Sequence, residues 1–430
     1  MSGPSSVGIV LLGLGTVGAG VARALTERTE TYSRRVGVPL ELRKVLVRDL
    51  HKQRAVHLPQ GLLTDDPEEA LSTPCDIVVE VMGGEKPARE YIQRAVEDGH
   101  YVVTANKEVM AKYGPGLLSA ATAAGVDILY EASVGGGIPI ISPLKRDLSG
   151  NEITSIRAII NGTTNYILTQ MSREEISFDV ALKEAQKLGY AEADPTNDVE
   201  AHDAAYKLAI LAGLAFHTTI DPKDIYREGI TRLSDRDFRY AAELGYTIKL
   251  LAIARRVGDA IEARVHPTLV PTHELLTRVD GALNAVQVDG DLTGRVLFQG
   301  AGAGSLPTTS AIMADVLDAA RSISLNSKPF PWRYTSGMTV TPMTDLVSRY
   351  YIRLEIADQP GVLAIIARCF GDNGVSIASV IQKETDSAGQ SAELVIMTHA
   401  AKESAMQASI QQISAFSEVP QVGNVLRVED

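Results

Sequence analysis

Residues 7–18 read VGIVLLGLGTVG: an unbroken apolar run, then Gly13-Leu14-Gly15-Thr16-Val17-Gly18, then the helix-like AGVARALTERTETY. An apolar run with no polar alternation is the pattern of a strand buried on both faces of a parallel sheet. A GxGxxG turn is common by itself, but after such a strand and opening a helix it predicts a dinucleotide-binding fold. Bare glycines let the pyrophosphate approach the backbone and the free N–H groups at the helix start. Gly13, Leu14, Gly15, Thr16, Val17 and Gly18 are therefore candidate cofactor contacts.

The flanking chain extends that fold. LELRKVLV at 40–47 is a second strand, and DIVVEVM at 76–82 a third, turning at Gly83-Gly84 into a helix over 86–98. Folds selective for NAD end the second strand in an acid that holds the ribose 2′-hydroxyl. Here Arg48 stands in that place, followed by Asp49, Lys52 and Arg54. The arginine suits a 2′-phosphate and favours NADP, while Asp49 keeps NAD open. YVVTANK reads as a further strand ending in Asn106 and Lys107, which puts Lys107 where ligands bind in open α/β sheets. A helix over 108–124 and a strand over 126–131 follow, then Ser133-Val134-Gly135-Gly136-Gly137-Ile138-Pro139. Three glycines after Glu131 fit a tight crossing, a phosphate cradle or a hard-cation site made of carbonyl oxygens.

At 430 residues, 45% of them hydrophobic, the chain is long enough for two or three domains with real cores. A net charge of −12 disfavours general affinity for nucleic acid or an anionic membrane. MSGPSSVGIV has no basic region of a signal peptide, and no apolar run approaches the ~18 residues that span a bilayer. Cys75 and Cys369 lie far apart, outside any zinc-type or CxxC spacing, and read as reduced thiols of a cytoplasmic protein.

From about 151 the pattern changes. EITSIRAII is a strand, followed by Asn161-Gly162-Thr163-Thr164-Asn165 and a helix. Then LGYAEADPTNDVEAHDAAYKL, 188–208, gathers Glu192, Asp194, Asp198, Glu200 and Asp203 around Lys207. Asp194-Pro195 is a turn, and Asn197 or Asp198 can cap the helix that follows. Asp203 and Lys207, at i and i+4, share a face of that helix. Such a pair is ordinarily an exposed ion pair worth a few tenths of a kcal/mol. Its apolar flanks here, AAY and LAILAGLAF, point to a buried pair, which is costly without a function. AIEARVHPTLV and NAVQVDG read as antiparallel strands, and FQGAGAGSLPTTSAIMADVLDAA as a glycine loop entering a last helix. Residues 322–349, with Pro329, Pro331 and Pro342, read as a linker. The last ~80 residues follow the order β-α-β-β-α-β of a ferredoxin-like unit, with Asp358-Gln359-Pro360-Gly361 as its first loop.

These stretches together give the chain a full-length resemblance to bacterial homoserine dehydrogenases. The specific residues are Ala185, Gly189, Tyr190, Glu192, Asp194-Pro195, Asp198-Val199, Asp203 and Lys207, with Asn161-Gly-Thr-Thr-Asn165 and Thr104-Ala-Asn-Lys107. One departure is Ala201, where the family usually has glycine. The tail is similar to an ACT domain. The resemblance implies an α/β chain in three parts: a Rossmann-type parallel-sheet domain (1–135, completed by 300–322), an α+β substrate and dimerisation domain (136–322), and, after a linker (323–349), an ACT-like βαββαβ domain (350–430). The implied reaction is the reversible NAD(P)H-dependent reduction of L-aspartate 4-semialdehyde to L-homoserine, on the route to threonine and methionine. Lys207 would be its general acid/base, Asp203 would keep that ammonium charged, and Lys107 would polarise the carbonyl. Glu192, Asp198, Asn161 and Thr163 would hold the substrate, and Arg48, Thr104, Lys107 and Gly302 would join the glycine turn at the cofactor. Glu131 and the carbonyls of Val134, Gly136 and Ile138 would hold a sodium ion. A threonine-binding tail and a homodimer or homotetramer are further implications. Two rivals remain: a cofactor-binding sensor without turnover, and another amino-acid dehydrogenase on the same nucleotide fold.

Overall fold

A computed structural model describes residues 4–328, 332–335, 337–384 and 391–429. Of the linker prolines, Pro329 and Pro331 lie outside these residues. The chain forms two compact units. One comprises residues 1–154, 206–222 and 284–337; the other comprises 155–205, 223–283 and 338–430.

The first unit is built on six parallel strands: β1 (Val7–Leu12), β2 (Leu40–Leu46), β3 (Leu63–Thr64), β4 (Ile77–Glu80), β5 (Tyr101–Thr104) and β6 (Ile128–Leu129). Their order is β3-β2-β1-β4-β5-β6, reversing direction at β1. Every residue of β1 is buried, as its unbroken apolar run predicts. Helix α1 (Thr16–Glu27) buries Gly18, Val21, Ala22 and Leu25, the i, i+3, i+4, i+7 stripe of a helix lying on a sheet. Helices α2 (Ala88–Glu97) and α3 (Lys107–Ala124) continue the alternation. YVVTANK is only partly strand: β5 stops at Thr104 because the Asn106 side chain accepts from the Val109 amide and caps α3, which makes Lys107 its first residue. The strand expected over 126–131 shrinks to β6, because Glu131–Ser133 turn into a 3-10 helix. The long helix Ser305–Ser324 also belongs to this unit.

The second unit holds β7 (Ile153–Ile159), α4 (Gly162–Glu174) and the hairpin β8 (Tyr246–Val257) and β9 (Ala260–Pro271). Helix α5 (His202–Ala215) begins in this unit. Neither Asn197 nor Asp198 caps α5: both sit inside a separate short helix, Thr196–Val199, and Ala201 makes the turn between the two. Ala201 is fully buried with φ +62°, a left-handed conformation that favours glycine.

The tail has the expected βαββαβ order: β10 (Val347–Ala357), α6 (Val362–Asp372), β11 (Ile377–Glu384), β12 (Ser391–Thr398), α7 (Glu403–Ile413) and β13 (Gln421–Val428). Its core alternates along β10 through Tyr350, Ile352, Leu354 and Ile356, packed on Ile366 and Phe370 of α6 and Met406 and Ile413 of α7. The tail sheet joins the middle one. Thr268 and Leu269 of β9 pair in parallel with Arg427 and Val428 of β13, so the order runs β7-β8-β9-β13-β10-β12-β11. Part of the proposed linker is ordered against the same sheet, where Thr339–Val340 pair with β9. Buried ion pairs clamp this seam. Arg353 binds Asp237 at 2.7 Å and Glu393 at 3.2 Å, while Arg427 binds Glu403 at 2.5 Å and also Glu228. Removing one partner of such a pair leaves the other as an uncompensated buried charge.

Candidate active site

In the first unit the glycine turn has the shape its sequence requires. Gly13 adopts φ +103°, and a Cβ at Gly18 would lie 2.1 Å from the Gly13 carbonyl oxygen, so neither position has room for a side chain. Around the Cβ position of Gly15 no atom lies within 4 Å. That open space faces the start of α1, where the amides of Thr16, Val17 and Gly18 have no acceptor within the helix. A groove of about 380 Å³ runs from Gly13, Leu14 and Gly15 to Arg48, Asp49, Lys52 and Arg54. In it the Asp49 carboxylate accepts the His51 amide at 2.8 Å, and the Arg54 guanidinium donates to the Lys52 carbonyl at 2.8 Å. Arg48 is exposed. The fit to a nicotinamide dinucleotide is physical: bare backbone for two phosphates, free amides, and guanidinium and ammonium groups at the adenosine end.

Glu80, which the sequence reading passed over, organises the neighbouring strand ends. One carboxylate oxygen accepts the Met82 amide at 2.8 Å; the other accepts the Thr104 hydroxyl at 2.6 Å. Thr104 in turn accepts the Asn106 amide at 3.0 Å, and the Asn106 side chain donates to the Gly84 carbonyl at 2.7 Å. Burial pushes the Glu80 carboxyl above its usual range. The chain of bonds fixes the turn at 82–84 and the start of α3, where Lys107 sits half-buried. The hydroxyl of Thr104 is thus used inside the protein. The signal for Glu80 was a lone acid inside the apolar run DIVVEVM.

Glu131 also has a different local role from a free ligand. Its carboxylate accepts three backbone amides, Ile140 at 2.6 Å, Ile141 at 2.8 Å and Ser142 at 2.7 Å, capping the short helix Ile141–Lys145. Its own amide donates to Asp315 at 2.8 Å. Beside it, Gly136 adopts φ +54°, and a Cβ there would stand 2.4 Å from the Gly302 carbonyl oxygen. A Cβ on Gly302 would in turn lie 2.1 Å from the Asn284 side-chain amide, so the late glycine loop packs against the Gly135–Gly137 turn, and its Ser305 hydroxyl donates to the Thr16 carbonyl at 2.9 Å. Among the described residues no three His, Cys, Asp or Glu side chains could hold a metal. Any cation here would take carbonyl oxygens, donors that suit a hard ion.

In the second unit Asn161 is the centre. Its Oδ1 accepts the Thr164 amide at 2.9 Å and caps α4. Its Nδ2 donates to Asp198 at 2.7 Å and to Asp203 at 3.0 Å, drawing two carboxylates together. Thr163 donates its hydroxyl to the Tyr190 carbonyl at 2.6 Å, and the rings of Tyr166 and Tyr190 pack 4.9 Å apart. Asp203 and Lys207 are 4% and 9% exposed on α5, so the i, i+4 pair is not a surface pair. Glu192 is exposed. The two thiols take no part: burial pushes Cys75 up to about 12, and Cys369 is buried in the tail core.

A parallel sheet whose glycine turn opens onto a groove of bare backbone and basic side chains defines a dinucleotide-binding protein of the Rossmann class. Models of the homoserine dehydrogenase catalytic domain, its NAD-binding domain and the ACT domain match residues 139–317, 13–131 and 350–417. Relatives named homoserine dehydrogenase from Neisseria gonorrhoeae (43% identical, 98% of each chain) and Bacillus subtilis (40%, 99% of this chain and 98% of the relative) match over nearly the full length. Among solved structures, a homoserine dehydrogenase from Thiobacillus denitrificans superposes with a TM-score of 0.93 at 44% identity, covering all of both chains. A hyperthermophilic archaeal homoserine dehydrogenase mutant in complex with NADPH aligns at 0.61 and 28% identity, over 76% of this chain and 99% of that one. The chain belongs to the homoserine dehydrogenase family of NAD(P)-dependent oxidoreductases. Its activity is the reversible NAD(P)H-dependent interconversion of L-aspartate 4-semialdehyde and L-homoserine, a step of threonine and methionine biosynthesis.

Proposed function

We propose that Lys207 is the general acid/base of this reaction and that NADP is the preferred cofactor. One observation supports the first role above all: Lys207 is buried one turn after a buried Asp203, on a helix whose neighbouring side chains are apolar. A buried ammonium is unfavourable unless a partner keeps it charged, and a nearby carboxylate does so. The reduced nicotinamide, when bound, supplies the hydride to the aldehyde carbon. In that direction Lys207 gives a proton from Nζ to the carbonyl oxygen; in the reverse direction it takes the hydroxyl proton of homoserine. Lys107, at the start of α3, places a second positive charge to polarise the carbonyl. Asp198, Asn161, Thr163 and Glu192 bind the substrate, Asp198 and Glu192 through its ammonium. Glu192 approaches only from an exposed position, so its share of the binding is the smaller.

The cofactor preference rests on Arg48. It is exposed beside Lys52 and Arg54, whereas the Asp49 carboxylate is engaged by the His51 amide. A 2′-phosphate gains from this arrangement and a bare 2′-hydroxyl does not. Thr104 acts at the cofactor through its position at the end of β5, and Gly302 through the shape of its loop. A sodium ion would use the carbonyls of Glu131, Val134, Gly136 and Ile138, since the Glu131 carboxylate is occupied by amides. In our reading, residues 1–135 with 300–322 bind the cofactor, 136–322 bind the substrate and dimerise, 323–349 link, and 350–430 sense an amino acid, threonine first. The assembly is a cytoplasmic homodimer or homotetramer. A matrix of NADPH and NADH against aspartate semialdehyde and homoserine, with and without threonine, tests the reading. Turnover with both substrates and a kcat/KM favouring NADPH support it; NADPH binding without turnover refutes it.

A further inference from the structure

Two helices carry the lysines of the reaction, and a segment from far along the chain packs between them. Helix α3 starts at Lys107, and α5 enters the first unit at Tyr206, just before Lys207. Met110 and Ala111 stand one turn after Lys107, and Ile210 stands one turn after Lys207; all three line one small space. Pro115 of α3 and Gly213 of α5 line it too, and Tyr334 closes it. What remains open is about 20 Å³, room for about one water. Neither helix is stiff at this point. Pro115 has no N–H, so the Ala111 carbonyl lacks its helical donor. Gly213 is a poor helix residue, and its bare backbone brings the Tyr334 ring within 3.9 Å of the Cβ position.

The segment that carries Tyr334 is anchored on both sides of it. The Trp332 ring stacks on His217, with centroids 4.7 Å and planes 16° apart, and the Thr335 amide donates to the His217 carbonyl at 2.8 Å. His217 follows the end of α5 in a left-handed conformation, φ +51°, so the residue that stops the helix also holds the segment. Among the described residues nothing is hydrogen-bonded to the half-buried Tyr334 hydroxyl, so the ring itself makes the contact. One further tie joins the helices: the Lys112 ammonium, bound to Glu85 at 3.0 Å and Glu108 at 2.6 Å, lies 5.4 Å from the Tyr206 ring. That contact is exposed and weak, which leaves the spacing to the wedge at Tyr334. We propose that Tyr334 is a positioning residue of the dehydrogenase reaction: its ring fixes the separation of α3 and α5, and with it the reach of Lys107 and Lys207 toward the reacting carbonyl. The proposal rests on the roles given to those two lysines above. It makes residues 332–335 a working part of the catalytic framework as well as a connection.

The test compares Tyr334→Ala, Tyr334→Leu and Tyr334→Phe in the full chain. It reads the single-turnover rate of homoserine oxidation, the KM for homoserine, the NADPH dissociation constant and Tm. Tyr334→Ala should slow the chemical step about tenfold to a hundredfold, the cost of misplacing a reacting group by about 1 Å. Its KM and NADPH affinity should stay within about threefold of wild type, because only the step that uses the lysines is affected. Tyr334→Phe should restore most of the lost rate, since the ring is kept. Tyr334→Leu should fall between, and it replaces the alanine variant in every comparison if that variant does not fold. A wild-type rate in the folded alanine or leucine variant overturns the proposal, as does a phenylalanine variant as slow as alanine. Equal losses in rate, KM and NADPH affinity also overturn it, since they mark a general loosening. If Lys207→Met is slow and Tyr334→Ala is not, the positioning claim alone fails. If Lys207→Met also keeps the wild-type rate, the underlying reading of the lysine fails instead.

Discussion

The Asn161 side chain donates to Asp203 at 3.0 Å, and the same amide nitrogen donates to Asp198 at 2.7 Å. One neutral residue thus holds two carboxylates side by side while its oxygen caps α4. Asn161→Asp keeps the cap but sets a third carboxylate against the other two. It is expected to cost about 1–3 kcal/mol of stability and to raise the KM for homoserine well beyond the change in Tm. Steady-state kinetics beside thermal melts check this; an unchanged KM would remove Asn161 from substrate binding.

Gly15 and Gly18 separate folding from cofactor binding. A methyl group at Gly15 meets no protein atom within 4 Å, whereas at Gly18 it would stand 2.1 Å from the Gly13 carbonyl oxygen. Gly15→Ala should therefore keep the wild-type Tm and weaken NADPH binding about tenfold or more, because the methyl fills phosphate space. Gly18→Ala should lose Tm as well. Fluorescence titration of NADPH, with melts of both variants, decides; tight NADPH binding by Gly15→Ala would move the nucleotide out of this groove.

Arg48 carries the cofactor preference. Replacing it with glutamine should raise the KM for NADPH about tenfold and leave the KM for NADH within about twofold, an amount consistent with one charge-assisted phosphate contact. Equal effects on the two cofactors would show that Arg48 does not read the 2′ position.

The seam predicts an acid sensitivity with a definite sign. Burial raises the Glu403 carboxyl, but the hydrogen bonds and charge of Arg427 outweigh it and hold the group below its ordinary 4.5. Glu393, held by Tyr240 and Arg236, is lowered in the same net sense. A lowered carboxylate contributes stability above its unfolded value and loses it as pH falls through the folded value. Glu403→Gln should thus be less stable than wild type by about 3 kcal/mol near neutrality, and the gap should narrow as pH falls below the ordinary 4.5. Denaturant melts across that range check it; a constant gap would mean that the pair does not titrate with folding.

The nucleotide half was legible because its signals are local. An apolar run, a glycine turn and an amphipathic helix are read within about twenty consecutive residues, and β1, α1 and the turn between them stand as expected. Boundaries slipped where a side chain captured the backbone: Asn106 shortened β5, and the Glu131 carboxylate took three amides beyond the glycine run. Ala201 was visible as a departure from the family glycine, but only its φ of +62° shows what the position demands. The continuous sheet through Thr268 and Arg427 was out of reach, since its partners lie far apart in sequence and no local pattern records a pairing between them.

Catalysis turns on Lys207. Lys207→Met keeps an apolar stem of similar length while removing the ammonium, so folding and NADPH affinity should hold. The most direct measurement is the single-turnover rate of homoserine oxidation by this variant, beside its NADPH dissociation constant. The account predicts a rate about a hundredfold to ten-thousandfold below wild type with cofactor affinity within about twofold. A rate within about threefold of wild type would contradict it.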